Sequence, residues 1–254
     1  MPTLRVCGLY PELMNIYADR GNIAVLRARC EWRGLGFELA ASSLRESLDP
    51  DAHDLFYMGG GQDRDQAAVA HDMAETKREA LHAAASRGAV MLAVCGGYQL
   101  LGHSYGVRAH SAEPGACGTA MGGEQLPGVG LVDLRTVREP GPRLIGNCAI
   151  EADLGGGRRV VAGFENHGGR TYLGEGERPL GRVLSGHGNN GRDGFEGVHR
   201  DNVIGTYLHG PLLPKNVWLA DRLIELALKI ELDPLADDSL EEAAHGSARR
   251  AAGV

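Results

Sequence analysis

The sequence predicts an α/β protein built on an open, doubly wound, mostly parallel sheet, with added antiparallel strands in its second half. Three observations predict it. The first half alternates short apolar runs with segments of helical period, those runs close on glycine, and beyond Gly106 the texture changes to short strands separated by glycine-rich turns.

Thr3 to Gly8 reads as the first strand. Asn15 to Arg33 follows as a helix, with Ile16, Ile23, Leu26 and Cys30 at helical spacing and Gly34 and Gly36 ending it. Phe37 to Ala40 and Leu55 to Met58 are the next strands, the latter closing on Gly59-Gly60-Gly61. A long helix, Asp63 to Arg87, stops at Gly88, a fitting C-terminal cap. The Met91 strand and a helix from Gly97 to Leu101 complete a β-α-β-β-α-β-α order. In the second half Val129 to Val137, Asn147 to Glu151, Val160 to Phe164, Gly181 to Leu184 and Val203 to Tyr207 read as short strands, expected as antiparallel hairpins appended to the core sheet. Asn216 to Ile230, between Pro214 and Pro234, is the last long helix. These divisions make 1–231 one domain and 232–254 a charged, alanine-rich tail, expected as either a surface helix or a frayed end.

Composition excludes several classes. With 254 residues, 43% of them hydrophobic, the chain can bury a large core unaided. No apolar run approaches the ~20 residues of a membrane span, and Met1 to Val6 is already strand-like, so a cytoplasmic location is expected. The formal charge of −7, with no basic stripe, argues against nucleic acid as a partner. Five widely spaced cysteines without a Cys-x-x-Cys pair argue against a disulfide framework or a metal site. The 38 glycines are about twice the usual share and carry no repeat period, which marks them as loop-builders around a site.

The chemistry centres on Ala89 to Gly102, where Cys95 stands between an apolar strand and a helix and is followed by Gly96-Gly97. Two small residues permit a sharp turn that lifts the thiol to the opening of the helix, where backbone N–H groups favour thiolate. Many free cysteines are small buried hydrophobes, and the flanking glycines are what set this one apart. A cysteine nucleophile needs a base and an oxyanion hole. The N–H of Gly96 is the first expected oxyanion donor, and Gly60 or Gly61 the second, since their loop follows a strand expected beside that of Cys95. Among ten histidines His209 stands out, because it ends the strand Asn202 to Leu208 and so lies on the sheet edge where open α/β folds place their sites. His167, in Phe164 to Arg170, is its rival.

Taken in order, Gly59-Gly60-Gly61, Cys95 to Gly102 and Gly205-Thr206-Tyr207-Leu208-His209-Gly210-Pro211 resemble class I glutamine amidotransferases of the cobyric acid synthase type. Within that family Leu9 to Asn22, Phe164 to Thr171 and Gly188 to Gly191 are similar to the glutaminase subunit of lipid II isoglutaminyl synthase. The resemblance covers residues 4 to about 230 and implies that Cys95 attacks the side-chain amide of L-glutamine while His209 serves as base and then as acid. It also makes Arg143 similar in context to an arginine that holds the glutamine, the other reading being a solvated arginine in a turn. Two positions depart from the family. Leu212 stands near the place where such enzymes carry a glutamate that orients the base, which leaves Asp19, Glu165 or a carboxylate of a partner subunit for that role. Ala93 stands where many elbows have glycine, and alanine is small enough to fit.

No Gly-x-x-x-x-Gly-Lys-Ser/Thr loop or dinucleotide fingerprint is present, so no ATP site is visible. The resemblance therefore implies a heterodimer with a Mur-ligase-like synthetase subunit, MurT, that brings ATP and Mg and activates the D-glutamate α-carboxylate of lipid II for conversion to D-isoglutamine in peptidoglycan synthesis. A corrinoid acceptor, a stand-alone γ-glutamyl hydrolase and a non-catalytic scaffold are the other readings.

Overall fold

The computed structural model describes residues 1–15, 20–106 and 125–254. Its first half runs β1 (Thr3–Leu9), α1 (Arg20–Glu31), β2 (Gly36–Ser42), β3 (Leu55–Met58), α2 (Asp63–Asp72), a π-helical turn (Met73–Lys77), α3 (Arg78–Ser86), β4 (Val90–Val94) and α4 (Gly96–Leu101). The second half follows with β5 (Ser104–Gly106), β6 (Gln125–Pro127), β7 (Leu134–Val137), β8 (Leu144–Ala152), β9 (Arg159–His167), β10 (Arg170–Leu173), β11 (Gly181–Ser185), β12 (Phe195–Glu196), β13 (Val198–Arg200) and β14 (Val203–Thr206). A 3-10 turn (Leu213–Lys215), α5 (Val217–Leu228) and α6 (Ser239–Ala251) complete the chain.

Every residue of β3 and β4 is buried, the mark of strands covered on both faces, and both lie at the centre of a six-stranded sheet ordered β13-β14-β4-β3-β1-β2. All its neighbours pair in parallel except β13 and β14, which form an antiparallel edge. The chain moves outward from β1 to β2, then the opposite way from β3 to β4, so the switch in direction falls between β1 and β3. This is the doubly wound order expected from the sequence.

The second-half hairpins are not simply appended to that sheet. Apart from β13 and β14 they build two further four-stranded sheets, ordered β10-β7-β5-β6 and β12-β11-β8-β9. The long pair β8 and β9 runs in register from Leu144↔His167 to Ala152↔Arg159, which extends both strands beyond the expected lengths. A single antiparallel bridge between Phe164 and His209 connects this sheet to the segment leaving β14.

The expected Asp63 to Arg87 helix is interrupted by the π-helical turn, and buried charge supplies the reason. Lys77 is fully buried, 2.7 Å from Asp72 Oδ2, donates to Ser43 O at 2.9 Å, and lies over the Tyr10 ring. Residues five apart face each other under i→i+5 winding, which brings Lys77 onto Asp72. A second buried cation, Arg29 of α1, binds Asp221 of α5 and Asp238 just before α6, tying three elements together. Removing one partner from such a group costs about 3–5 kcal/mol.

Among the described residues no helix is long and apolar enough to cross a membrane.

Candidate active site

Strand β4 delivers Cys95 into a backbone conformation, φ 54° and ψ −108°, that non-glycine residues rarely adopt. Strain of this kind persists only where surrounding structure enforces it. The enforcing contacts are visible: Cys95 N donates to Thr206 O at 2.8 Å, Gly97 N to Gly59 O at 3.1 Å, and Gln99 N to Cys95 O at 3.2 Å. A Cβ on Gly97 would stand 2.9 Å from the carbonyl oxygens of both Met58 and Gly59. Only glycine fits so close to two backbone carbonyls, and this is the turn expected from the Cys-Gly-Gly run. Cys95 as a whole is 8% exposed.

The same packing sets the oxyanion loop against the elbow. Met58↔Ala93 is a register pair of β3 and β4, and the backbone nitrogen of Gly61 lies 3.1 Å from where a Cβ of Gly96 would be. The Gly60-Gly61 loop and Gly96 therefore meet as expected, with Gly60 buried and Gly61 partly so.

Strand β14 brings in the histidine. Thr206 pairs with Val94, so β14 and β4 end side by side, and His209 follows three residues beyond the end of β14. His209 is fully buried, and its backbone exchanges hydrogen bonds with Phe164 at 3.0 Å each way. Burial pushes its imidazole down to about 4, helped by the neighbouring His167, Lys215 and Arg143 and opposed by Glu165. At neutral pH the group is an uncharged base.

Around this pair lie groups of uneven legibility. Glu165 of β9 is fully buried and accepts the backbone N–H groups of His187 and Gly188 at 2.6 and 2.9 Å. His167 stacks flat on Tyr207, with ring centroids 3.5 Å apart, and its Nδ1 donates to Gly169 O. Arg143 is exposed and donates through Nε and Nη2 to Asn166 Oδ1 and O, at 2.8 and 2.7 Å, which fixes it at the turn joining β9 and β10. Asp19 and Cys117 lie outside the described residues. Burial pushes the thiols of Cys7 and Cys30 up to about 12 and about 11 and raises Cys148 as well, so these three rest as inert thiols.

Sequence reasoning missed the polar chain beneath the elbow. Gln66 of α2 donates to Gly96 O at 3.3 Å and Gln99 Oε1 at 2.8 Å; Gln99 donates to Tyr207 OH at 3.0 Å, and Tyr207 meets Thr171 at 2.6 Å. A glutamine at 66 beside the buried Val69 and Ala70 is the signal that could have found it, a polar residue on an apolar face. Glu196 was missed too. Its buried carboxyl accepts Thr206 Oγ1 and Tyr207 N, and burial pushes it up to about 8.

A cysteine held in a strained elbow, the Gly60-Gly61 loop packed against the residue after it, and a buried histidine at the adjacent strand end are the kinds of groups that acyl transfer through a thioester requires. Comparison with known proteins agrees in kind. Residues 5–217 match the family described as CobB/CobQ-like glutamine amidotransferase domain. The chain is 37% identical over 226 residues to the protein from Streptococcus pneumoniae named lipid II isoglutaminyl synthase (glutamine-hydrolyzing) subunit GatD, covering 89% of this chain and 81% of that one. It is 36% identical over 250 residues to the Staphylococcus aureus protein of the same name, covering 98% and 95%. A cobyric acid synthase from Pelotomaculum thermopropionicum is 38% identical over 140 residues, covering 52% of this chain and 25% of that one. Among solved structures, PurLQS from Thermotoga maritima superposes with a TM-score of 0.57 at 17% identity, over 89% of this chain and 98% of that chain, a likeness of fold.

Proposed function

The chain belongs to the CobB/CobQ-like glutamine amidotransferase family, and from that premise we propose that it is the glutamine-hydrolysing subunit of a two-chain, ATP-dependent amidotransferase acting on lipid II. The observation that carries this reading is the span of the two GatD matches, at least 89% of this chain, where the cobyric acid synthase just named matches only about half of it. That difference favours the D-glutamate α-carboxylate of lipid II over a corrinoid carboxylate as acceptor.

In the proposed reaction His209 takes the Cys95 proton and the sulfur attacks the γ-carboxamide carbon of L-glutamine. The tetrahedral oxyanion is received by the N–H groups of Gly96 and of Gly61 or Gly60. As the C–N bond breaks, the His209 imidazolium returns its proton to the leaving nitrogen and ammonia departs. Water, deprotonated by His209, then attacks the thioester to release glutamate and free Cys95. Arg143, fixed to Asn166 through Nε and Nη2 and near enough to His209 to act on its charge, is placed to hold the α-carboxylate of the substrate.

The synthetase half belongs to the proposed partner, a Mur-ligase-like subunit, MurT, which would hold ATP and Mg and activate the acceptor carboxylate in the cytoplasm. The product would be D-isoglutamine in the peptidoglycan stem, linking the pair to cell wall biogenesis and cell shape. Co-expression with such a subunit tests this. A stable complex should convert lipid II to its amidated form with ATP and glutamine, whereas co-purification with a synthetase of another family, or peptide cleavage without ammonia release, would contradict it.

A further inference from the structure

The family match ends at Val217, yet α6 beyond it packs onto β9 and onto the 3-10 turn that follows His209. His245 of α6 donates from Nδ1 to the carbonyl of Lys215 at 2.8 Å. Asn147 of β8 donates to Ala251 O at 2.9 Å, and Ala248 and Ala252 pack on Ala149 and Ala162 of β8 and β9. The 3-10 turn beneath is held from other sides as well. Leu213 N donates to Asn22 Oδ1 at 2.7 Å, and Asn216 bonds both the N–H and C=O of Ala162 and the carbonyl of Leu212. The tail, expected as either a surface helix or a frayed end, forms a helix that straps the strands and the turn flanking the candidate base.

Within that strapped turn the Lys215 side chain reaches back along the chain. Its Nζ lies 3.5 Å from where a Cβ of Gly210 would stand, so the ammonium rests against the residue after His209. Partial burial pulls Lys215 below the ordinary lysine range. The charged and titratable groups that bear on His209 are His167 and Glu165 from β9, Arg143 before β8 and Lys215 from the turn, and Cys95 directly follows the neighbouring strand β4.

We propose that Lys215 is a positioning residue of the glutaminase site, itself set in place by His245 of α6: its ammonium, laid against Gly210, disfavours a second positive charge on His209 and so keeps the imidazole available to take the Cys95 proton. This rests on the reading of His209 as the base. The lysine needs no contact with glutamine. It acts through the histidine, and α6 fixes the backbone from which it reaches.

The test is the pH profile of kcat/KM for ammonia release by the assembled two-subunit enzyme. Lys215→Met should move the acid limb to higher pH by about 0.5, while Lys215→Arg, which keeps the charge, should stay with the wild type. His245→Ala should move the limb in the same direction as Lys215→Met, and His245→Asn, whose amide can donate from the place of Nδ1, should restore it. The double variant Lys215→Met/His245→Ala should move it no further than Lys215→Met alone. If Lys215→Met fails to assemble, Lys215→Gln serves with the same expectation. A Lys215→Met profile superimposed on the wild type, or a His245→Ala variant that lowers Tm without moving the limb, would overturn the inference. Failure of the underlying reading looks different: wild-type complex that releases no ammonia, or release unchanged by Cys95→Ala.

Discussion

Phe164 and His209 exchange both backbone hydrogen bonds, 3.0 Å each way, and this one bridge ties the outer β8 and β9 sheet to the segment leaving the core sheet. The Phe164 ring also meets the imidazole edge-on, with centroids 6.1 Å apart. Because the backbone makes the bridge, His209→Ala should leave the fold in place and remove the base alone. Its kcat for ammonia release should fall about 10²–10⁴-fold, with an unchanged circular dichroism spectrum as the control.

The buried imidazole lowers stability on acidification, whereas Glu196, raised to about 8, acts in the opposite direction over the same range. His209 sits near 4 in the folded protein against an ordinary value of 6.5. Its contribution is therefore fully present above 6.5 and is lost as pH falls from 6.5 towards 4, where the unfolded chain binds a proton that the folded one refuses. The difference is worth about 3 kcal/mol. Urea midpoints of the wild type and of His209→Gln, each measured at pH 7 and pH 5, isolate this part: over that interval the wild type should lose about 2 kcal/mol relative to the variant.

Gly97→Ala tests the elbow without touching a reactive group. Its methyl would meet the Met58 and Gly59 carbonyls at 2.9 Å, and backbone gives way poorly. We expect a loss of about 1–3 kcal/mol in stability, read as a lower Tm. A fall in kcat should accompany it as the loop carrying Gly60 and Gly61 is displaced.

Glu165→Gln should act in two ways at once. It removes the negative charge that raises the proton affinity of His209, so the acid limb of kcat/KM should move to lower pH. It also weakens the grip on His187 N and Gly188 N, so Tm should fall. A pH profile paired with a thermal melt separates the two effects.

Much of this architecture was legible because local signals agreed with it. Buried β3 and β4 read as continuous apolar runs, and the Cys-Gly-Gly elbow and the strand-end histidine point at each other once the strands are parallel neighbours. What was not legible depends on contacts remote in sequence. The π-helical turn comes from Lys77 finding Asp72, Ser43 and Tyr10, which no helical period encodes. The two outer sheets arise from pairings such as Ser104↔Arg135 and Val183↔Ile150, where glycine-rich turns announce reversals without saying which strand is met. Glu165, one of three sources weighed for a carboxylate near the base, lies buried beside the bridge, but its hold on His187 and Gly188 depends on a loop 22 and 23 residues away in sequence. Lys215 carried no motif at all, and only the packing of α6 on the turn places it.

The central claim is that Cys95 forms a covalent bond to the side-chain carbonyl carbon of glutamine. Incubation of the complex with a diazoketone analogue of glutamine, followed by peptide mass spectrometry, tests it most directly. The account predicts a single adduct on the peptide containing Cys95, absent from Cys95→Ala and suppressed by excess glutamine. An adduct on Cys7, Cys30, Cys117 or Cys148 instead, or ammonia release undiminished in Cys95→Ala, would contradict it.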